Sequence, residues 1–205
     1  LEFELPEKGL REYTQVIIKE SDRLQTLVDR LLAPHRKAHV MESFNVHEAL
    51  ERVRSLVLAE FPQGLTIKRN YDISIPDLLG DKEALIQAVL NVVHNAAQAL
   101  REQISQGTAV IELNTRVARN VTISKQRYKL ALDLHVIDNG PGIPEEIRDK
   151  IFFPLVSGKE GGSGLGLTLA QTYVQQHYGY IGCVSKAGCT DFQMQLPFRV
   201  KTGEA

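Results

Sequence analysis

Three groups of residues have the types and spacing to hold an anionic ligand. Asn91 and Asn95 stand four apart in NVVHN, so on a helix both amides share one face. Asparagine is a middling helix former, and two of them beside valines ask for a reason. Their amide oxygens suit a hard cation such as Mg²⁺, which takes oxygen donors and usually shares itself with substrate phosphates. Asp138 opens DNGPGIP where an apolar strand pattern ends. A carboxylate there can accept a hydrogen bond inside a pocket, as from the exocyclic amine of adenine, with Gly140 and Gly142 turning the chain beneath a flat ring. Read alone, DNGPG is also a good turn sequence.

The third group is SGKEGGSGLGL at 157–167. It is not the G-x-x-x-x-G-K-[ST] phosphate loop, because Glu160 follows Lys159 and no glycine stands five residues before Gly158. It is not the G-x-G-x-x-G dinucleotide turn, because Leu167 and Leu169 stand where the third glycine belongs. What remains is a glycine loop entering a helix near Gly164 or Leu165. The N–H groups of a helix amino end and its dipole favour phosphate, the dipole by about 0.3–2 kcal/mol. Glycine lets the backbone approach without a Cβ. Lys159 is placed to reach a terminal phosphate from a closing lid.

The elements that must position these groups are legible in outline. Asp81 reads as the N-cap of a helix to about residue 102, with Leu85, Val89, Val92, Val93, Ala96 and Leu100 on one face. SFNV reads as a short strand, 47–61 as an amphipathic helix and 64–72 as a strand. Residues 108–118 and 128–138 form a hairpin across a polar connection. A helix over 165–178 and two strands around the turn KAG complete the series. This order predicts an α/β fold: a two-layer sandwich with a mixed, mostly antiparallel sheet. Ahead of it, residues 9–33 repeat apolar side chains in steps of three and four. That reads as one long helix needing a partner, so 35–42, with its polar break after Pro34, reads as a linker.

Composition excludes several classes. Lys+Arg of 24 against Asp+Glu of 25 gives no basic field for nucleic acid and no polybasic run for a membrane. No apolar stretch approaches the roughly 20 residues of a membrane helix. Cys183 and Cys189 are too few for a disulfide framework or a zinc site, which suits a reduced, cytoplasmic chain.

Taken in order, Asn91/Asn95, Asp138-x-Gly-x-Gly and Gly162-x-Gly164-x-Gly166 resemble the ATP-binding domain shared by sensor histidine kinases, gyrase, Hsp90 and MutL. Phe152 and Phe153 in IFFPLVSGK match the phenylalanine box of the histidine kinases, and Thr190 in GCTDF their threonine near the adenine. FFPLVSGKEGGSGLGL, NAAQAL and VDRLLAP look like the nitrogen-regulation sensor kinases, the NtrB type. The resemblance implies that Asp138 binds adenine with Thr190 nearby, that Asn95 holds Mg²⁺ and that Asn91 assists at the phosphates. Gly140, Gly142, Phe153, Gly162, Gly164, Leu165 and Gly166 would shape the pocket and lid, and Lys159 would steady the γ-phosphate.

It further implies a division into part of a dimerisation bundle at 1–34, the linker at 35–42, the catalytic ATP-binding domain at 43–200 and a tail at 201–205. The activity implied is transfer of the γ-phosphoryl of ATP to a histidine, then to an aspartate on a response regulator receiver domain. A homodimer in the full-length protein and a PII-type signalling partner belong to the same expectation.

The family presents its acceptor as His-Glu/Asp-x-x-Asn/Thr-Pro, and none of the six histidines stands in that setting. His47-Glu48 is followed by no proline and reads as the start of a helix. The chain is therefore expected to be a fragment that binds ATP·Mg²⁺ without phosphorylating itself, the acceptor lying upstream. Two alternatives share the pocket: a nucleotide-switch module without kinase activity and an anti-sigma serine kinase. Against the first, Gln87 stands one turn before Asn91, where it cannot act as a base for water. Against the second stand the long first helix and the phenylalanine box.

Overall fold

A computed structural model describes residues 40–156 and 164–198. The expected helix at 9–33 lies outside the described residues, as do Lys159 and Gly162. In chain order the elements are β1 (Glu42–Phe44), α1 (Val46–Glu60), β2 (Leu65–Tyr71), β3 (Leu78–Gly80), α2 (Lys82–Ala99) and α3 (Arg101–Ser105). There follow β4 (Ala109–Ile123), β5 (Gln126–Asp138), α4 (Glu145–Arg148), α5 (Gly166–Gln176), β6 (Tyr180–Lys186) and β7 (Cys189–Pro197).

The main sheet runs β2-β4-β5-β7-β6, and β1 pairs with β3 in a separate small sheet. Only β2–β4 is parallel, the other main-sheet pairs being antiparallel. This is the mixed, mostly antiparallel sheet of the sequence reading. Alternation explains its two faces. Leu132, Leu134 and Val136 of β5 point inward with Ile111 and Leu113 of β4 and Phe192, Met194 and Leu196 of β7, all buried. Helices α1, α2 and α5 close over that face. The opposite face carries the polar row Asn114, His135 and Gln193 on three adjacent strands.

Caps set where the two long helices begin. The Asn45 carboxamide accepts the His47 N–H at 2.9 Å, and Val46, Ala49, Leu50, Val53 and Val57 then form the buried stripe of α1. Asp81 accepts the Ala84 N–H at 3.0 Å and starts α2, as the sequence predicts.

Boundaries differ in three places. The helix expected to run to 102 ends at Ala99, and the chain restarts as α3 after the fully buried Leu100. The hairpin has no long polar connection: pairing continues to Ile123↔Gln126 and turns on Ser124 and Lys125 alone, both at positive φ (48° and 69°). Polarity misled there, because distal residues such as Arg119, Thr122 and Arg127 are polar and still lie in the ladder. The short elements β3 and α4 carried no readable period.

Candidate functional site

The asparagine pair, the strand-end aspartate and the start of α5 are joined by one helical stripe. Asn91, Asn95 and Ala99 recur every four residues along α2 and so share a face. At one end of that stripe is Gly166, the first residue of α5. A Cβ placed on it would lie 3.7 Å from Asn95 Nδ2 and 4.0 Å from Asn91 Cβ. At the other end is Gly140, whose Cβ position lies 3.8 Å from Ala99 Cβ and 2.7 Å from Asp138 Oδ1. Eight residues of helix separate Asn91 from Ala99, about 12 Å at 1.5 Å per residue.

Asp138 is the last residue of β5 and only 4% exposed. Its Oδ1 accepts the Gly140 N–H at 2.8 Å, which curls DNGPG back over the strand end. In register beside it on β7 is Thr190, also 4% exposed, and beside Thr190 on β6 is Ser185. Ser185 Oγ lies 3.1 Å from Thr190 Oγ1 and accepts the Ile143 N–H at 2.8 Å. Gly188 N–H donates to Gly140 O at 2.9 Å. The aspartate loop is thus fastened to the β6–β7 turn by two bonds. Gly142 sits in the left-handed region at φ 91°, and a Cβ there would meet the Lys186 carbonyl at 2.9 Å. Glycine is required at that point.

The sequence reading missed Ser185, which fixes Thr190, and Asn139. Asn139 extends the β4–β5 ladder with its side chain, donating from Nδ2 to Thr108 O at 2.9 Å and accepting the Val110 N–H at 2.8 Å. The only signal for either was position: a hydroxyl or amide beside a turn, among many such.

The amide pair is partly buried. Asn91 Oδ1 accepts from Gln87 Nε2 at 3.2 Å, while its Nδ2 is enclosed with no hydrogen-bond partner. Enclosing a donor without an acceptor costs about 1–3 kcal/mol, so a ligand oxygen there is favoured. This orphaned nitrogen, and the Cβ-free cradle at Gly166 over Asn95 Nδ2 and Asn91 Cβ, fit a phosphate-bearing ligand. Among the described residues no group of three or more His, Cys, Asp and Glu could hold a metal ion.

Leu165 occupies the N-cap of α5 and supplies no side-chain cap. Gly164, at φ 63°, stands where a Cβ would meet Leu155 C at 2.6 Å, and its carbonyl accepts the Leu155 N–H at 3.1 Å. The two stems flanking 157–163 are thereby joined. The phenylalanines divide their work. Phe152 packs edge-on against Phe192 with ring centroids 6.4 Å apart, and its carbonyl takes the Thr168 hydroxyl at 3.0 Å. Phe153 is 59% exposed. Cys183, on the inner face of β6, has its thiol pushed up to about 12 by burial, with Asp138 and Asp191 adding to the effect. It stays protonated at neutral pH and is no nucleophile.

Residues 80–200 match the family described as Histidine kinase-, DNA gyrase B-, and HSP90-like ATPase. Over 196 residues the chain is 46% identical to the sensory histidine kinase/phosphatase NtrB of Salmonella typhimurium, spanning 95% of this chain and 54% of that protein. The chain thus spans about half the length of the curated relatives it matches. Among solved structures it resembles full-length ShkA in complex with AMPPNP, with a TM-score of 0.69 and 22% identity over 93% of this chain and 39% of that one. It also resembles histidine kinase ThkA in complex with response regulator protein TrrA, with a TM-score of 0.63 and 22% identity over 96% of this chain and 53% of that one.

Proposed function

The chain belongs to the family of histidine kinase-, DNA gyrase B- and HSP90-like ATPases, and on that premise we propose that it is the catalytic, ATP-binding part of an NtrB-type sensor histidine kinase. The observation that carries this reading is the α2 stripe Asn91–Asn95–Ala99, which ends on the helix-start glycine Gly166 at one side and on Gly140 beside buried Asp138 at the other.

Asp138 accepts a hydrogen bond from the exocyclic amine of adenine, and Thr190, held by Ser185, lies beside it. Gly140 and Gly142 keep the loop flat against the base. Asn95 would hold Mg²⁺ through its amide, and Asn91 would contact a phosphate. Gly162, Gly164, Leu165 and Gly166 bring backbone N–H groups to the triphosphate, Lys159 steadies its γ-phosphate, and Phe153 stands at the rim. When bound, Mg²⁺ would offset negative charge on the triphosphate. Residues of the pocket position the γ-phosphorus in line with an acceptor imidazole. The N–P bond forms, the bond to the bridging oxygen breaks, and ADP leaves.

In the whole protein this activity would serve nitrogen regulation in the cytoplasm. It calls for a homodimeric helical bundle carrying the acceptor histidine, a receiver domain that takes the phosphoryl group to an aspartate, and a PII-type protein as input. Among the described residues no helix is long and apolar enough to cross a membrane.

The test is titration of the chain with ATP and with GTP in the presence of Mg²⁺, repeated for Asp138→Asn. ATP is expected to bind tighter than GTP, and the substitution to erase the preference. Equal affinity for the two nucleotides in the wild-type chain would overturn the role of Asp138.

A further inference from the structure

Asn91 makes one contact that phosphate binding does not require. Its Oδ1 accepts from Nε2 of Gln87, one turn earlier on α2, at 3.2 Å, and its Nδ2 is enclosed without a partner. Gln87 is itself exposed and its flanking residues Ile86 and Ala88 are buried, so it stands at the edge of the α2 stripe. An asparagine amide turned through 180° presents oxygen where nitrogen stood, at almost no cost in shape. Alone, Asn91 would meet a ligand in either sense. In the pairing observed with Gln87, the group Asn91 leaves for a ligand is the Nδ2 N–H.

We propose that Gln87 is a positioning residue for the nucleotide: its hydrogen bond holds the Asn91 amide in place, with Nδ2 left to donate to a phosphate oxygen. The inference rests on the ATP reading above and deepens it. Gly166 lies over Asn95 Nδ2 and Asn91 Cβ, so the Asn91 side chain starts beside the amino end of α5.

The experiment measures ATP and adenosine affinities, with Mg²⁺, for the whole chain, Gln87→Met, Asn91→Ala and the double variant. Methionine keeps the length and helix propensity of glutamine and removes the donor. Gln87→Met is expected to weaken ATP about three- to tenfold while leaving adenosine unchanged, since adenosine has no phosphate to lose. In the Asn91→Ala background the same change should add nothing, because Gln87 acts through Asn91. Unchanged ATP affinity, equal losses for ATP and adenosine, or additive losses in the double variant would each overturn the proposal. A wild-type chain that binds no ATP overturns both this inference and the reading beneath it. Wild-type ATP preference with Gln87 variants indistinguishable from it overturns this inference alone.

Discussion

A methyl group at position 142 measures how tightly the loop after Asp138 is built. Gly142 lies at φ 91°, and its Cβ would press on the Lys186 backbone rather than on a side chain that can swing away. Gly142→Ala should therefore cost about 2 kcal/mol or more, strain and steric contact acting together. Urea denaturation of the two proteins checks this, and a shift under about 0.5 kcal/mol would contradict the packing described. Thr190→Val probes the neighbouring link. It keeps the shape and deletes the hydroxyl that pairs with Ser185 Oγ at 3.1 Å. Ser185 still accepts the Ile143 N–H, so the fold should lose only about 1 kcal/mol, while the wall beside Asp138 loses its polar atom and ATP binds more weakly. Comparable stability with unchanged ATP affinity would remove Thr190 from the pocket.

Between elements, two histidines of no evident chemistry turn out to be joints. His177, where α5 ends, is buried, and its Nδ1 donates to Tyr173 O while its Nε2 accepts the Asp81 N–H, both at 2.8 Å. The tautomer is thereby fixed, and the end of α5 is tied to the cap that starts α2. His177→Ala leaves the Asp81 N–H in a cavity and should cost about 2–3 kcal/mol in a denaturant titration. His47, on the first turn of α1, stacks on Tyr71 of β2 with centroids 4.6 Å apart and bonds Thr115 Oγ1 at 3.0 Å.

Burial holds the His47 imidazole below the ordinary 6.5, outweighing the raising influence of Asp72 and Glu51. The unfolded chain then takes up this proton first, so the contribution of His47 is complete above about pH 6.5 and is lost as pH falls through the lowered folded value. His47→Phe keeps a ring on Tyr71 and should flatten the decline in stability between pH 7.5 and 5, read from urea midpoints. An unaltered slope would assign the decline elsewhere. These joints show where sequence reading stops. Periodicity reveals which helix face is buried, and Asp81 announces its cap. A histidine that ends one helix and braces the cap of another across 96 residues leaves no periodic trace. The break at Leu100 is equally silent, because its buried side chain fits the stripe whether or not the helix continues.

For the molecule as a whole, the mixed, mostly antiparallel character of the sheet and the three site motifs were legible because each depends on local pattern. Alternation marks the strands, glycines mark close backbone approaches, and Asp138 marks a strand end. What the sequence could not supply was how the motifs meet, which is decided by the α2 stripe and the register Asp138↔Thr190. The same structure bears on where a transferred phosphoryl group can rest. Among the described residues His47 is stacked, His94 Nε2 lies 3.0 Å from Glu60, His135 Nδ1 lies 2.9 Å from Asp191, and His177 is buried between helices. His135 belongs to the open sheet face, on the side opposite to Asp138, since the two stand three residues apart on one strand. At each of these four histidines at least one ring nitrogen is engaged by a partner, and His177 is buried as well. A chain incubated with γ-labelled ATP should therefore carry no label on these histidines. A separately supplied acceptor bundle from an NtrB relative should become labelled, at a rate that collapses with Asn95→Ala. Label mapped by peptide analysis to His47, His94, His135 or His177 would contradict this assignment, and for His177 it would require the tie between α5 and the start of α2 to open.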